Sequence, residues 1–227
     1  MTAADPALPT VWASGDALAV DKPSGLLVHN SSFTRTRERA AVTLVREAHG
    51  PDWSPVHRLD RATSGVLLFA RGPEALRTWQ EALAAESTRR LYLALVRGQV
   101  KGPLDVDHAL DDDRGVRRDA RSRIEPVWTR AEPRCSLVGV EVFTGRTHQV
   151  RRHCAHVSHH VIGDANYGKG PLNREYRARY GLARLALHAE RLVITEPGSG
   201  VVLELVSPMP DDLAGPLSRI AGDATAA

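Results

Sequence analysis

Apolar positions recur along this chain with two different periods. Leu91, Leu93 and Leu95 alternate with Tyr92, Ala94 and Val96, which predicts a strand with two distinct faces. The run Val66-Leu67-Leu68-Phe69-Ala70 has strand length and no polar break, so it predicts a buried strand. Residues 135–143, 185–195 and 201–206 read as further strands, the last two joined by the turn-rich Glu196-Pro197-Gly198-Ser199-Gly200. Short strands are expected at residues 17–20 and 26–28, on either side of the turn Lys22-Pro23-Ser24-Gly25. Helical spacing appears at Ala41, Leu44, Val45 and Ala48, with Gly50 as a C-terminal cap. It appears again from Pro73 to Glu86, where Leu76, Trp79, Gln80 and Leu83 share one side. Val150, Cys154 and Val157 supply the stripe of a third helix over residues 147–159, whereas the charged residues 105–123 read as a loop or an exposed hairpin.

Many strands with a few interspersed helices predict an α+β fold, a mostly antiparallel sheet flanked by helices and loops. No internal repeat or low-complexity linker interrupts the pattern. The expected organisation is an extension over residues 1–16, one domain over 17–210 and a helix or tail over 211–227, frayed at its end. A chain of 227 residues is long enough to bury a real core.

Charge sharpens this picture. The net charge is only +3, but of 30 basic residues just Lys22, Lys101 and Lys169 are lysines. Arginine suits bidentate phosphate contacts and stacking on bases, although a GC-rich coding sequence enriches it equally well. Cys135 and Cys154 lack C-x-x-C spacing, so two reduced structural thiols in a cytoplasmic protein are expected. No stretch has the length of a membrane span, and residues 1–9 lack the build of a secretory signal. A monomer is the default in the absence of heptads.

Two constellations stand apart from the structural pattern. In His57-Arg58-Leu59-Asp60-Arg61-Ala62-Thr63-Ser64-Gly65, a carboxylate lies between two guanidinium groups just ahead of the buried run. Nearby positive charge favours its ionised form, so Asp60 reads either as a carboxylate kept for chemistry or as a turn cap paired with Arg58 or Arg61. In Gly145-Arg146-Thr147-His148-Gln149-Val150-Arg151-Arg152-His153, a sharp entry precedes several arginines. A helix starting at Thr147 would gather backbone N–H groups and guanidinium groups into an anion site; the plain alternative is a solvated basic face. His156 and His160 are spaced for one helix face, but no H-E-x-x-H or thiolate set accompanies them, so no metal is expected. Glycine-rich phosphate loops, G-x-S-x-G elbows and dinucleotide fingerprints are missing, so no cofactor is expected.

Taken together, the motifs resemble the RluA-type pseudouridine synthases. The stretch from His57 to Asp60 with Thr63-Ser64-Gly65 looks like that family's catalytic-aspartate motif, and Asp21-Lys22-Pro23-Ser24-Gly25 with Val28-His29 is similar to its N-terminal motif. Arg90-Leu91-Tyr92-Leu93-Ala94-Leu95-Val96 resembles its tyrosine motif. The segment from Gly145 to Arg151 resembles its arginine motif, followed in order by Ile162-Gly163-Asp164, Tyr167-Gly168 and Leu187-His188-Ala189. Arg90 stands where the family usually has lysine, and His160 where proline is common.

The resemblance implies a pseudouridine synthase fold that isomerises uridine in RNA without cofactor or metal. It implies Asp60, Tyr92 and Arg151 as catalytic, with Arg151 paired to Asp60, and Arg58, Arg61, Thr63, Arg146, His148 and Gln149 as substrate-binding. Tyr92 is expected to stack on the target base and Arg58 to fill the space left by an extruded nucleotide. The short chain, with no S4-type domain expected ahead of Lys22, and the insertion over residues 171–184 resemble the tRNA uridine-65 subgroup. An rRNA substrate is the alternative within the class, and a non-catalytic RNA-binding or RNA-folding protein the alternative outside it. Arg35, Arg37, Arg39, Arg146, Arg152, Arg174, Arg177 and Arg179 are candidate phosphate binders.

Overall fold

Residues 8–29 and 39–222 are described by the computed structural model. In chain order the elements are β1 (Thr10–Ala13), β2 (Ala17–Lys22), α1 (Ala41–His49), β3 (Trp53–Pro55), β4 (Ser64–Arg71), α2 (Gly72–Ala84), β5 (Arg89–Arg97), β6 (Leu104–Asp107), β7 (Leu110–Asp111), β8 (Arg117–Arg118), β9 (Arg121–Arg130), β10 (Cys135–Val142), α3 (Gln149–His156), α4 (Gly170–Tyr180), β11 (Leu187–Thr195), β12 (Val202–Val206) and α5 (Asp211–Gly222). The chain divides into two compact units, one built from residues up to Thr88 with Arg191–Pro208, the other from Arg89–Glu190 with residues from Met209 onward. The α+β expectation holds. Among the described residues the strand ladders within each unit are antiparallel, and one isolated parallel bridge joins Leu27 to Ala40.

In the first unit β4 is central. Its run from Leu67 to Ala70 is fully buried, and it pairs with β2 from Ala17↔Ala70 to Lys22↔Gly65 and with β3 over its second half. The segment before residue 17, expected as an extension, contributes β1, which pairs with β2. The part of β11 from Arg191 onward pairs with β12. Helix α2 begins with Pro73 in its first turn and ends at Ala84, two residues short of the expected end. Its Trp79 is buried against Val66, Leu68, Ala70 and Ile194, with the Trp12 ring edge-on at 5.9 Å. Burying large apolar side chains of this kind contributes roughly 1.5–3 kcal/mol each. The strand expected over residues 26–28 is a correction: only Leu27 bridges, because the Leu26 carbonyl is turned onto the Lys22 ammonium.

In the second unit the order is β5-β10-β9-β6, with β7 and β8 forming a short hairpin beside it. The charged segment 105–123 thus combines the expected exposed hairpin with the ends of two sheet strands. Pro126, which has no N–H for the ladder, sits at a bulge opposite Val138 that leaves Val127 exposed. Helices α4 and α5 bury Tyr176, Tyr180, Leu213, Leu217 and Ile220 against Leu95, Leu137 and Ile162. Cys135 and Cys154 are buried free thiols. Gly163 has a φ of 83°, and a Cβ there would stand 2.0 Å from the Arg184 carbonyl oxygen, so only glycine lets the chain pass beneath that backbone.

Candidate active site

The Asp60 loop is fixed by the N-terminal motif. Lys22 is completely buried, and its Nζ donates to the carbonyls of Pro23 at 2.8 Å, Leu26 at 2.9 Å and Arg61 at 3.3 Å. Ser24 Oγ donates to the Ala62 carbonyl at 2.8 Å, the Gly25 N–H to the Arg61 carbonyl at 2.8 Å, and Arg61 Nε back to the Gly25 carbonyl at 3.0 Å. The Thr63 N–H closes a turn on the Asp60 carbonyl at 3.0 Å, and the Leu68 N–H donates to His57 Nε2 at 3.2 Å. Accepting there leaves the proton of neutral His57 on Nδ1.

This ties down both ends of the segment carrying Asp60. Leu59 is buried, Asp60 half-buried and Arg58 exposed. Arg58 makes no hydrogen bond or ion pair with any described residue, so its guanidinium is open to a ligand. Arg61 instead spends its Nε on the backbone. Thr63 Oγ1 is buried with no hydrogen-bond partner among the described residues.

The second constellation lies where β10 runs into α3. The helix was expected to start at Thr147, but it starts at Gln149, because His148 adopts a left-handed conformation (φ 56°, ψ 25°). No side chain caps this eight-residue helix. Buried Gln149 takes over the organising role. Its Oε1 accepts the Arg146 N–H at 3.0 Å and the Thr144 hydroxyl at 2.8 Å, and its Nε2 donates to the Arg121 carbonyl at 2.9 Å and Ser122 Oγ at 3.0 Å. Arg146 Nε donates to the Asp119 carbonyl at 2.9 Å. The kink at His148 carries its ring to Tyr167, with Nδ1 3.1 Å from the phenol oxygen.

Arg151 is held by a group that the motif left without a role. Its Nε and Nη2 bind Asp164 at 2.7 and 2.9 Å, and its guanidinium carbon lies 5.1 Å from the centre of the Tyr167 ring. Asp164 Oδ1 also accepts the N–H groups of Asn166 at 2.9 Å and Tyr167 at 3.0 Å. Burial pushes the Asp164 carboxyl up, but the Arg151 hydrogen bonds and those two N–H groups outweigh it, so its pKa lies below the ordinary carboxylate range. Tyr92 lies on β5 opposite Val140, on the face that also carries Ile124. Arg90 is drawn down from its usual pKa by burial, partly offset by Tyr92, and its Nη1 lies beside Gly145. The charge of the expected lysine is thus kept next to the arginine motif.

The sequence-predicted residues therefore fall into two local groups, Arg58, Asp60, Arg61 and Thr63 on one loop and Arg146, His148, Gln149 and Arg151 around the start of α3, with Tyr92 apart from both on β5. Sequence reasoning missed the support: Lys22 as a rivet, Asp164 as the clamp of Arg151, and Tyr167 and Thr144 as spacers. The one available signal was Gly-Asp-Ala-Asn-Tyr at 163–167, whose aspartate is placed to accept N–H groups two and three residues on. Of the candidate phosphate binders, Arg35 and Arg37 lie outside the described residues. Arg39 pairs with Glu47, while Arg152 and Arg177 donate to the carbonyls of Asp111 and Ala183. His160, standing where proline was expected, is held by its carbonyl on the Arg97 N–H, with Nδ1 buried and unpartnered among the described residues. No group of three or more His, Cys, Asp or Glu side chains among the described residues is arranged to hold a metal ion, and no described helix is long and apolar enough to cross a membrane.

Residues 16–156 match the family model described as RNA pseudouridylate synthase. The chain is 36% identical over 200 residues to tRNA pseudouridine synthase C of Pasteurella multocida, covering 79% of this chain and 82% of that protein. It is 37% identical over 215 residues to ribosomal large subunit pseudouridine synthase C of Escherichia coli O157:H7, covering 89% and 67%. Among solved structures, human RNA pseudouridylate synthase domain containing 4 superposes with a TM-score of 0.74 at 21% identity, covering 94% of this chain and 93% of that one. Human RNA pseudouridylate synthase domain containing 1 gives 0.72 at 24% identity, covering 97% and 95%.

Proposed function

The chain belongs to the RNA pseudouridylate synthase family, and from that premise we propose that it isomerises a uridine of tRNA to pseudouridine with Asp60 as the catalytic carboxylate. The reading is carried by one observation: a half-buried aspartate on a turn held after it by the distant Lys22–Gly25 motif and before it by His57, beside an exposed arginine without a described partner. The C1′–N1 bond breaks, the base rotates, and C1′ bonds to C5. The proton leaving C5 is balanced by one gained at N1, so no oxidant or reductant is needed.

Asp60 either attacks C1′ as a nucleophile or removes the C2′ proton to give a glycal; attack at C6 is the third and least favoured route. A primary isotope effect with 2′-deuterated uridine distinguishes proton removal. Arg151, oriented by Asp164, serves to keep Asp60 ionised. Tyr92 stacks on the base and assists loss of the C5 proton, with its hydroxyl needing local help because the free group titrates near pH 10. Arg58 fills the gap left by the flipped nucleotide, offsetting an extrusion cost of a few kcal/mol.

Asp60→Asn abolishes tritium release from 5-tritiated uridine in tRNA; full activity in that variant refutes the assignment. Arg58→Ala weakens flipping, whereas Arg151→Ala impairs Asp60 itself, so single-turnover kinetics and base fluorescence separate the two. A ribosomal RNA substrate is the second reading, favoured by the similarity to ribosomal large subunit pseudouridine synthase C. Chemical mapping of pseudouridine in cells lacking the gene decides between them.

A further inference from the structure

Strand β10 ends at Val142, opposite Ser122 of β9. Phe143 continues the ladder by one residue, its N–H donating to the Arg121 carbonyl at 3.1 Å. Residues directly opposite across antiparallel strands share a face, so the Phe143 ring and the Arg121 guanidinium project together. Two positions earlier, Glu141 opposes Arg123, and both charges are engaged, Glu141 by Arg89 at 2.7 Å and Arg123 by Asp105 at 3.1 Å and Glu125 at 2.6 Å. Arg121 is exposed, and its side chain has no hydrogen bond or ion pair with any described residue.

Phe143 itself is 50% exposed and is the one aromatic among the exposed large apolar side chains of the described residues; the others are valines. Its backbone is rigidly supported. Thr144 Oγ1 accepts the Arg121 N–H at 3.1 Å and donates to Gln149 Oε1, while Gln149 Nε2 holds the Arg121 carbonyl. An exposed ring on a fixed backbone, beside a guanidinium that makes no ion pair with any described carboxylate, Asp107 opposite it on β6 included, combines the two parts that single-stranded nucleic acid needs: a π-face for a base and a cation for the adjoining phosphate. Alternation along β10 sets Phe143 on the face away from Val140 and Tyr92. Arg146 lies three positions further on, a reach of roughly 10 Å at most.

We propose that Phe143 and Arg121 form a subsite for an unpaired RNA nucleotide flanking the target uridine, its base stacked on the ring and its phosphate on the guanidinium. The proposal rests on the RNA-modifying reading above and adds a contact that lies outside the reacting residues.

The test is the affinity of the full chain for a tRNA transcript, measured by fluorescence anisotropy in an Asp60→Asn background so that no turnover intervenes. Phe143→Ala weakens binding about tenfold, as expected for loss of one base–aromatic stack. Phe143→Trp restores it to within about twofold, and Arg121→Ala lowers the slope of log Kd against log salt by about one. Phe143→Ala binding like the parent, Phe143→Trp binding as weakly as Phe143→Ala, or an unchanged slope in Arg121→Ala overturns the subsite. Tritium release by the unaltered chain reports separately on the underlying reading. If release is absent from every RNA but affinity still depends on Phe143, the isomerase reading fails and the subsite stands. If release is normal and affinity ignores Phe143, the subsite fails alone.

Discussion

Replacing Asp164 with Asn tests whether the arginine of the candidate site is set by its clamp. The Asp164 side chain is fully buried and that of Arg151 is 8% exposed. The carboxylate takes four hydrogen bonds, two from the guanidinium and two from the backbone N–H groups of Asn166 and Tyr167. Asn keeps the volume and one acceptor oxygen, which can still serve the backbone, but it turns an NH2 group toward Arg151. Breaking one side of a buried pair typically costs about 3–5 kcal/mol. For a chain of this size each kcal/mol moves the melting temperature by about 2–4 °C, so a fall of roughly 6–20 °C is expected. Circular dichroism melting measures it. Well below the melting point, tritium release per folded molecule should also fall, because Arg151 no longer has a fixed direction. The pH sign is determined by the depressed pKa. Stability from Asp164 is fully present above its unfolded value of about 3.9 and is lost as pH falls below that toward the folded value; Asp164→Asn removes this part of the acid dependence. A variant melting within about 2 °C of the parent, with normal turnover, refutes the clamp.

Thr63→Val removes a buried hydroxyl that has no partner among the described residues. It should stabilise the chain by about 1–2 kcal/mol while raising KM for tRNA, and an unchanged melting temperature and KM would contradict both expectations. The His108 and His156 rings stack at 3.8 Å, and burial, then the charges of His156, Arg117 and Arg152, hold the His108 pKa below normal, with a smaller opposing pull from Asp111. A depressed histidine contributes stability above its unfolded value of about 6.5 that disappears as pH falls through the folded one. The melting temperature should therefore drop between pH 7 and 5, and less so in His108→Gln; parallel curves would refute that source. Burial, with a contribution from Asp164, pushes the Cys154 thiol up to about 12, and burial also raises Cys135. A disulfide reagent at pH 8 should leave both thiols of the native chain unlabelled and titrate both in guanidinium; rapid native labelling of either contradicts the packing.

The elements whose periodicity is set by burial on one or both faces were legible. The run at 66–70, the alternation at 91–96 and the stripe around Trp79 each emerged as the expected strand or helix. What failed were places where a polar side chain competes with the backbone ladder. Residues 26–28 look like a strand, yet a lysine ammonium takes the Leu26 carbonyl. The third helix starts late because His148 turns left-handed, while the Gln149 side chain ties the preceding Thr144 and Arg146 instead of leaving them to a cap at Thr147. The charged strands β6 and β9 were hidden because their exposed faces carry Arg–carboxylate pairs rather than plain polar residues. The candidate site residues were legible as motifs, whereas their supports were not, because a bond such as Lys22 to Arg61 spans 39 positions and leaves no local pattern.

The seclusion of Lys22 gives the chain a chemical reporter of its own. Lys101 and Lys169 are exposed, so of the three lysines only Lys22 is closed to an acylating reagent while its carbonyl cage stays shut. Its amine can react only when the ammonium leaves Pro23, Leu26 and Arg61 and sheds a proton, which requires the Asp60 turn to come loose. The ratio of its acylation rate to that of a free lysine therefore gives the free energy of that local opening, as protection does in amide exchange. Mass spectrometry of one peptide would then follow how firmly RNA, pH or a distant substitution latches the loop that holds the carboxylate, without a label being introduced.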